Sequence, residues 1–203
     1  MSKKPRINEN YRHECTEPTY ELDRCRCALS EIYTPEEFTQ LVGFYMLTLP
    51  EKNSSGNAYA LSDYGWAGHG IGDLEGRLLK SAGMSQFVFL GSRKIDGTLE
   101  AMKLGGTVCA QHPRAVLMRK ATLTMDEDGS TKAEYKGDNR MQCLMRHIRN
   151  GIAHGLSFAF PTGAVLLEDI EEKSVTARIL LKRETLLDWI PIVKNGPSAK
   201  ADR

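Results

Sequence analysis

The spacing of apolar and polar side chains divides the chain into stretches of different period. Thr34 stands where an N-cap belongs, with Pro35 at the first helical position and Glu37 completing a capping box. Phe38, Leu41, Val42, Tyr45 and Leu49 then recur at helical spacing, and Pro50 ends the run. Residues 51–58 have loop composition, and Gly65 to Gly76 is dense in glycine. Ile71, Leu74, Leu78 and Leu79 fit a further helix, and Phe87 to Leu90 either continues it or forms a short strand. Residues 98–125 read as a helix broken near Gly105-Gly106 and Pro113, with Ala115 to Thr124 apolar enough to be buried. A polar, acidic loop is expected over 126–139.

The clearest helix of the second half runs from Arg140 to His154. Met141, Leu144, Met145, Ile148 and Ile152 form its apolar stripe, and Gly155 sits at the position of a left-handed C-cap. The period then changes. Ala164 to Ile170 and Val175 to Leu181 are apolar or β-branched runs flanking a polar turn, the pattern of a β-hairpin. Glu184 to Val193 is a short amphipathic helix interrupted by Pro191, and residues 195–203 are expected to be disordered. The organisation read from this is an N-terminal extension over 1–33, one domain over 34–194 and a tail over 195–203.

A chain of 203 residues supplies one domain with an appendage. Its 27 basic against 26 acidic residues exclude a general basic coat, so any polyanion site must be local. No apolar run approaches the roughly 20 residues of a membrane helix. The opening MSKKPRINEN has basic residues with no apolar segment behind them, unlike a secretory signal. Five irregularly spaced cysteines do not make a disulfide framework, and a reducing cytoplasmic compartment is expected. The charges are nevertheless segregated. Acidic residues are absent between Ala101 and Met125 and between Asn139 and Leu167, whereas Arg140, Arg146 and Arg149 fall in the second interval. Two such segments facing each other would make a positive cleft; apart, they are solvated helix faces.

Several motifs fail on spacing. Gly68 to Gly76 lacks both the dinucleotide fingerprint and a Gly-Lys-Ser/Thr end. His13-x-Cys15 and Cys25-x-Cys27 space their ligands more tightly than structural zinc sites do, so no metal and no cofactor is expected. Cys109 and Cys143 read as core, and His69 and His112 lack partners at a telling spacing.

The segment Arg146-His147-Ile148-Arg149-Asn150-Gly151-Ile152-Ala153-His154 stands out. On a helix, Asn150 and His154 are neighbours four apart, so Asn150 can orient the imidazole. Arg149 and His154 point about 140° apart, so they meet on one ligand only at the helix end or across a second copy. An arginine, a histidine and an amide without clustered carboxylates suit RNA cleavage. The ribose 2′-OH is the nucleophile, imidazole moves protons, and guanidinium holds phosphate oxygens.

Arg149-Asn150-Gly151-Ile152-Ala153-His154 resembles the R-x4-6-H motif of the HEPN superfamily, with Met145 to Ile148 before it and Gly155 after it matching the usual helical setting. The resemblance implies a mainly α fold, an antiparallel helical bundle carrying the C-terminal hairpin and short helix. It implies a homodimer whose motif helices meet in a cleft, and metal-independent endoribonuclease activity of toxin or anti-phage defence type, with a possible separate antitoxin protein. Arg149, Asn150 and His154 would be the catalytic set, with Arg146 and His147 contacting RNA. The alternative is a non-catalytic module that binds RNA, a nucleotide or a protein. The Gly-rich stretch has no counterpart in the family pattern.

Overall fold

The computed structural model describes residues 19–49, 61–90, 107–109, 115–119, 121–125, 131–135, 139–171 and 174–197. Five α-helices occur among them: α1 (Leu29–Ile32), α2 (Pro35–Leu41), α3 (Gly70–Ala82), α4 (Arg140–His154) and α5 (Thr185–Lys194). Nine strands accompany them: β1 (Thr19–Glu21), β2 (Val88–Leu90), β3 (Thr107–Cys109), β4 (Ala115–Arg119), β5 (Ala121–Met125), β6 (Thr131–Tyr135), β7 (Ser157–Ala159), β8 (Ala164–Glu171) and β9 (Ser174–Lys182). The expected helical bundle is therefore corrected to a mixed α/β fold. The C-terminal hairpin, β8 with β9, is the centre of a five-stranded sheet ordered β2-β4-β9-β8-β7. All its pairings are antiparallel except β2 with β4.

Where the local signals are strong, the elements lie at the expected positions. Thr34 Oγ1 accepts the Glu37 amide while Glu37 Oε2 accepts the Thr34 amide, the capping box that starts α2. That helix passes at Val42 into a π-helical stretch through Thr48, rather than staying α-helical to Leu49. α4 has the expected bounds, Gly155 caps it at φ 62°, and Asn139 with Gln142 adds a capping box at its start.

Two regions differ from expectation. Within 98–125, where a broken helix is expected, the described residues form the strands β3, β4 and β5, and part of the expected acidic loop is the strand β6, which pairs with β5. Thr122-Leu123-Thr124 alternates with period two and β-branched residues, a strand signal that outweighs the helix reading. Part of the N-terminal extension is also built into the fold: β1 pairs with β3, and Arg26 bridges to Phe158.

The sheet divides the core in two because successive strand residues point to opposite faces. Val165, Leu167, Ala177, Ile179 and Leu181 join the cluster made by the helices, which includes Leu144, Met145, Ile148, Trp66 and Trp189. Ala164, Leu166 and Leu180 face the other way, onto Leu22, Phe158 and Phe160. α4 lies on the first face, packed on β8 and on the π-helical stretch.

Candidate functional site

Alternation along β8 continues past its apolar residues into two buried acids. Glu168 takes the face of Leu166 and is neutralised by Arg178, its cross-strand partner on β9, through a buried ion pair. Asp169 takes the face of Leu167, underneath α4. The hairpin register shifts at Asp169/Ile170, so β9 carries Thr176 as an extra residue there, and the Thr176 hydroxyl donates to the Asp169 main-chain oxygen at 3.0 Å. Such a bulge re-aims side chains locally, here around the one acid that faces the helix.

α4 supplies the other half. His147, Asn150, Gly151 and His154 fall within about 100° of arc on one face. Gly151 permits the approach: a Cβ built there would lie 3.1 Å from the Glu168 carbonyl oxygen and 3.2 Å from Leu167 Cβ. With the helix this close, three side chains converge on Asp169. His147 Nδ1 lies 2.6 Å from Asp169 Oδ2, with both side chains almost wholly buried. Asn150 Nδ2 donates to the same oxygen at 3.1 Å. His154 Nδ1 stands 3.8 Å from Asp169 Oδ1 while half of its side chain remains exposed.

Burial alone would raise the Asp169 carboxyl. The His147 hydrogen bond and charge and the Asn150 amide outweigh it and hold the group below its ordinary value. A carboxylate carries no proton, so His147 must donate through Nδ1–H.

Arg149 joins this cluster through its neighbour. Its Nη1 donates to Asn150 Oδ1 at 3.1 Å, whereas its Nε is buried with no acceptor. Arg146 is half-buried, with Nη2 3.8 Å from Cys143 Sγ one turn back.

The structure links Arg149 to Asn150, and both Asn150 and His154 to Asp169, so the contacts are not the ones expected. Asn150 does not bond His154; its two hydrogen bonds go to Arg149 and to Asp169, and Asp169 is the group facing the His154 imidazole. His147, expected on the surface against RNA, is 1% exposed and belongs to the interior. Asp169 was not among the expected site residues. Its signal in the sequence is an acid pair, Glu168-Asp169, inside an otherwise apolar strand. Period two sends those acids to opposite faces, and each needs a partner where it is buried.

Among the described residues, no three His, Cys, Asp or Glu side chains are placed to hold a metal ion. His13, Cys15 and His112 lie outside the described residues, while Cys25 and Cys27 are free thiols, half-buried. The Gly-rich stretch contains two left-handed turns, Gly65 and Gly68, leading into α3. No described helix is long and apolar enough to cross a membrane. No protein-family model, curated protein or solved structure matches the chain.

Proposed function

We propose that the protein is a metal-independent endoribonuclease of the kind marked by the Arg-x4-His motif. The proposal rests on site geometry and does not need the helical bundle that the resemblance implied. One observation carries it: His154 is open to solvent at the end of α4, with its Nδ1 side turned to the buried carboxylate of Asp169. That leaves the Nε2 side as the one to exchange protons with a substrate. The 3.8 Å gap is an ion-pair distance, and a closure of about 1 Å on substrate binding would make it a hydrogen bond. Arg149 supports the same reading, since guanidinium suits the growing charge of a phosphorane.

In this mechanism the ribose 2′-OH attacks the adjacent phosphorus and the 5′-oxygen leaves. His154 Nε2 takes the proton of the 2′-OH and delivers it to the departing 5′-oxygen, Asp169 fixes the imidazole and Arg149 holds the phosphate. A homodimer that places two α4 ends side by side is part of the proposal, as is a separate antitoxin chain acting on a toxin of this type. The test is product analysis after incubation with single-stranded RNA in EDTA. Fragments ending in 2′,3′-cyclic phosphate and 5′-hydroxyl are expected, and a 2′-deoxy substitution at the cut position blocks the reaction. Fragments ending in 3′-hydroxyl and 5′-phosphate contradict the mechanism. Binding without cleavage supports the non-catalytic module instead.

A further inference from the structure

We infer that the Arg149 guanidinium is parked on Asn150 in the free protein and is drawn off by an incoming oxyanion, so that Asn150 sets how tightly the site holds a phosphate. The inference rests on Arg149 as the phosphate-binding group of the proposed function. It goes further by making the neighbouring amide a competitor of the substrate.

The contacts around Arg149 are lopsided. Nη1 donates to Asn150 Oδ1 at 3.1 Å, and Asn150 is fixed from its other end because Nδ2 donates to Asp169 Oδ2 at 3.1 Å. The amide is therefore a preset acceptor, anchored by a buried carboxylate. Nε, by contrast, is withdrawn from water and meets no acceptor. A buried donor without a partner has lost its hydration and received nothing in return, which makes the parked arrangement costly. Guanidinium binds phosphate best through two parallel N–H groups, and with Nη1 engaged the remaining pair is Nε with Nη2. Swinging that edge out to a phosphate gives up one hydrogen bond to a neutral amide. It gains two charge-assisted bonds and relieves Nε. In the free protein only a fraction of molecules present this edge, and the apparent affinity is reduced by that fraction.

The probe is a short fluorescent oligothymidylate, which lacks the 2′-OH and is not cut by the proposed chemistry, titrated by anisotropy with inorganic phosphate as competitor. Asn150→Ala removes the acceptor and is expected to bind about fivefold tighter than wild type. Arg149→Ala is expected to bind at least about tenfold weaker. Equal or weaker binding by Asn150→Ala with its melting transition intact overturns the inference, as does unchanged binding by Arg149→Ala.

A second measurement uses the wild-type protein and so does not depend on how the Asn150 variant folds. The Arg149 Nε–H resonance, assigned by its loss in Arg149→Lys, is expected to shift on saturation with the oligonucleotide; an unmoved resonance overturns the inference. RNA left uncut while this binding pattern holds removes the nuclease reading alone. His154-dependent cleavage with no tighter binding by Asn150→Ala removes the parked arrangement alone.

Discussion

At the scale of single residues, Asp169 organises the site. Its carboxylate receives His147 and Asn150, faces His154 and is almost wholly removed from water. A buried charge of this kind holds its surroundings only while its partners remain, so Asp169→Asn is expected to cost about 3 kcal/mol at neutral pH in urea unfolding. The pH dependence has a definite sign. The folded-state value lies below the unfolded one, so the contribution is full above the ordinary carboxylate range and is lost as pH falls through the depressed value. The stability gap between wild type and Asp169→Asn should therefore shrink on acidification below about pH 4. A gap that widens in acid would contradict this account of the carboxylate.

At the scale of elements, the decisive contact is α4 on β8. Gly151 lets the helix approach within 3.1 Å of the Glu168 carbonyl, measured from the position a Cβ would occupy. That backbone cannot yield easily, because it is part of the hairpin ladder. Gly151→Val should cost about 2 kcal/mol through overpacking, read as a lowered urea midpoint with an unchanged slope. It should also slow any activity, since it lifts His154 away from Asp169. A Gly151→Val variant as stable and active as wild type would mean that the close approach is dispensable.

Much of α4 is legible in the sequence. The stripe from Met141 to Ile152 and the cap at Gly155 depend on local periodicity and backbone preference, which one sequence displays. His147 is the exception. Its burial depends on an acid 22 positions away, on another element, and no local rule pairs the two. Asp169 was hidden for the same reason, reinforced by a register shift that strand periodicity does not announce.

At the scale of the whole molecule, the helical periodicities are stronger in the sequence than the signals of a sheet in which three of five strands have five residues or fewer. β2 and β3 are three residues each, too short for alternation to declare itself, and their partners are remote in sequence: β3 pairs with β1, and β2 with β4. The hairpin was readable because β8 and β9 are long and adjacent in sequence. Its place as the middle of a sheet depends on β4 and β7, one on each side. That arrangement predicts where the fold is most resistant to opening. β8 and β9 each have a strand on both edges and bury both faces. Their amides, with those of α4, should be the slowest to exchange with deuterium, and the three-residue β2 at the sheet margin should exchange much faster. Uniform exchange across the sheet would contradict a core divided around these strands.

The most direct measurement of the central claim is the rate of RNA cleavage in EDTA by wild type and His154→Ala, with both proteins shown to melt alike. His154 is half exposed, so its removal leaves the buried His147–Asp169–Asn150 contacts in place. The account predicts a loss of at least about 100-fold, the range of a positioned acid–base group. Equal rates for the two proteins would contradict it.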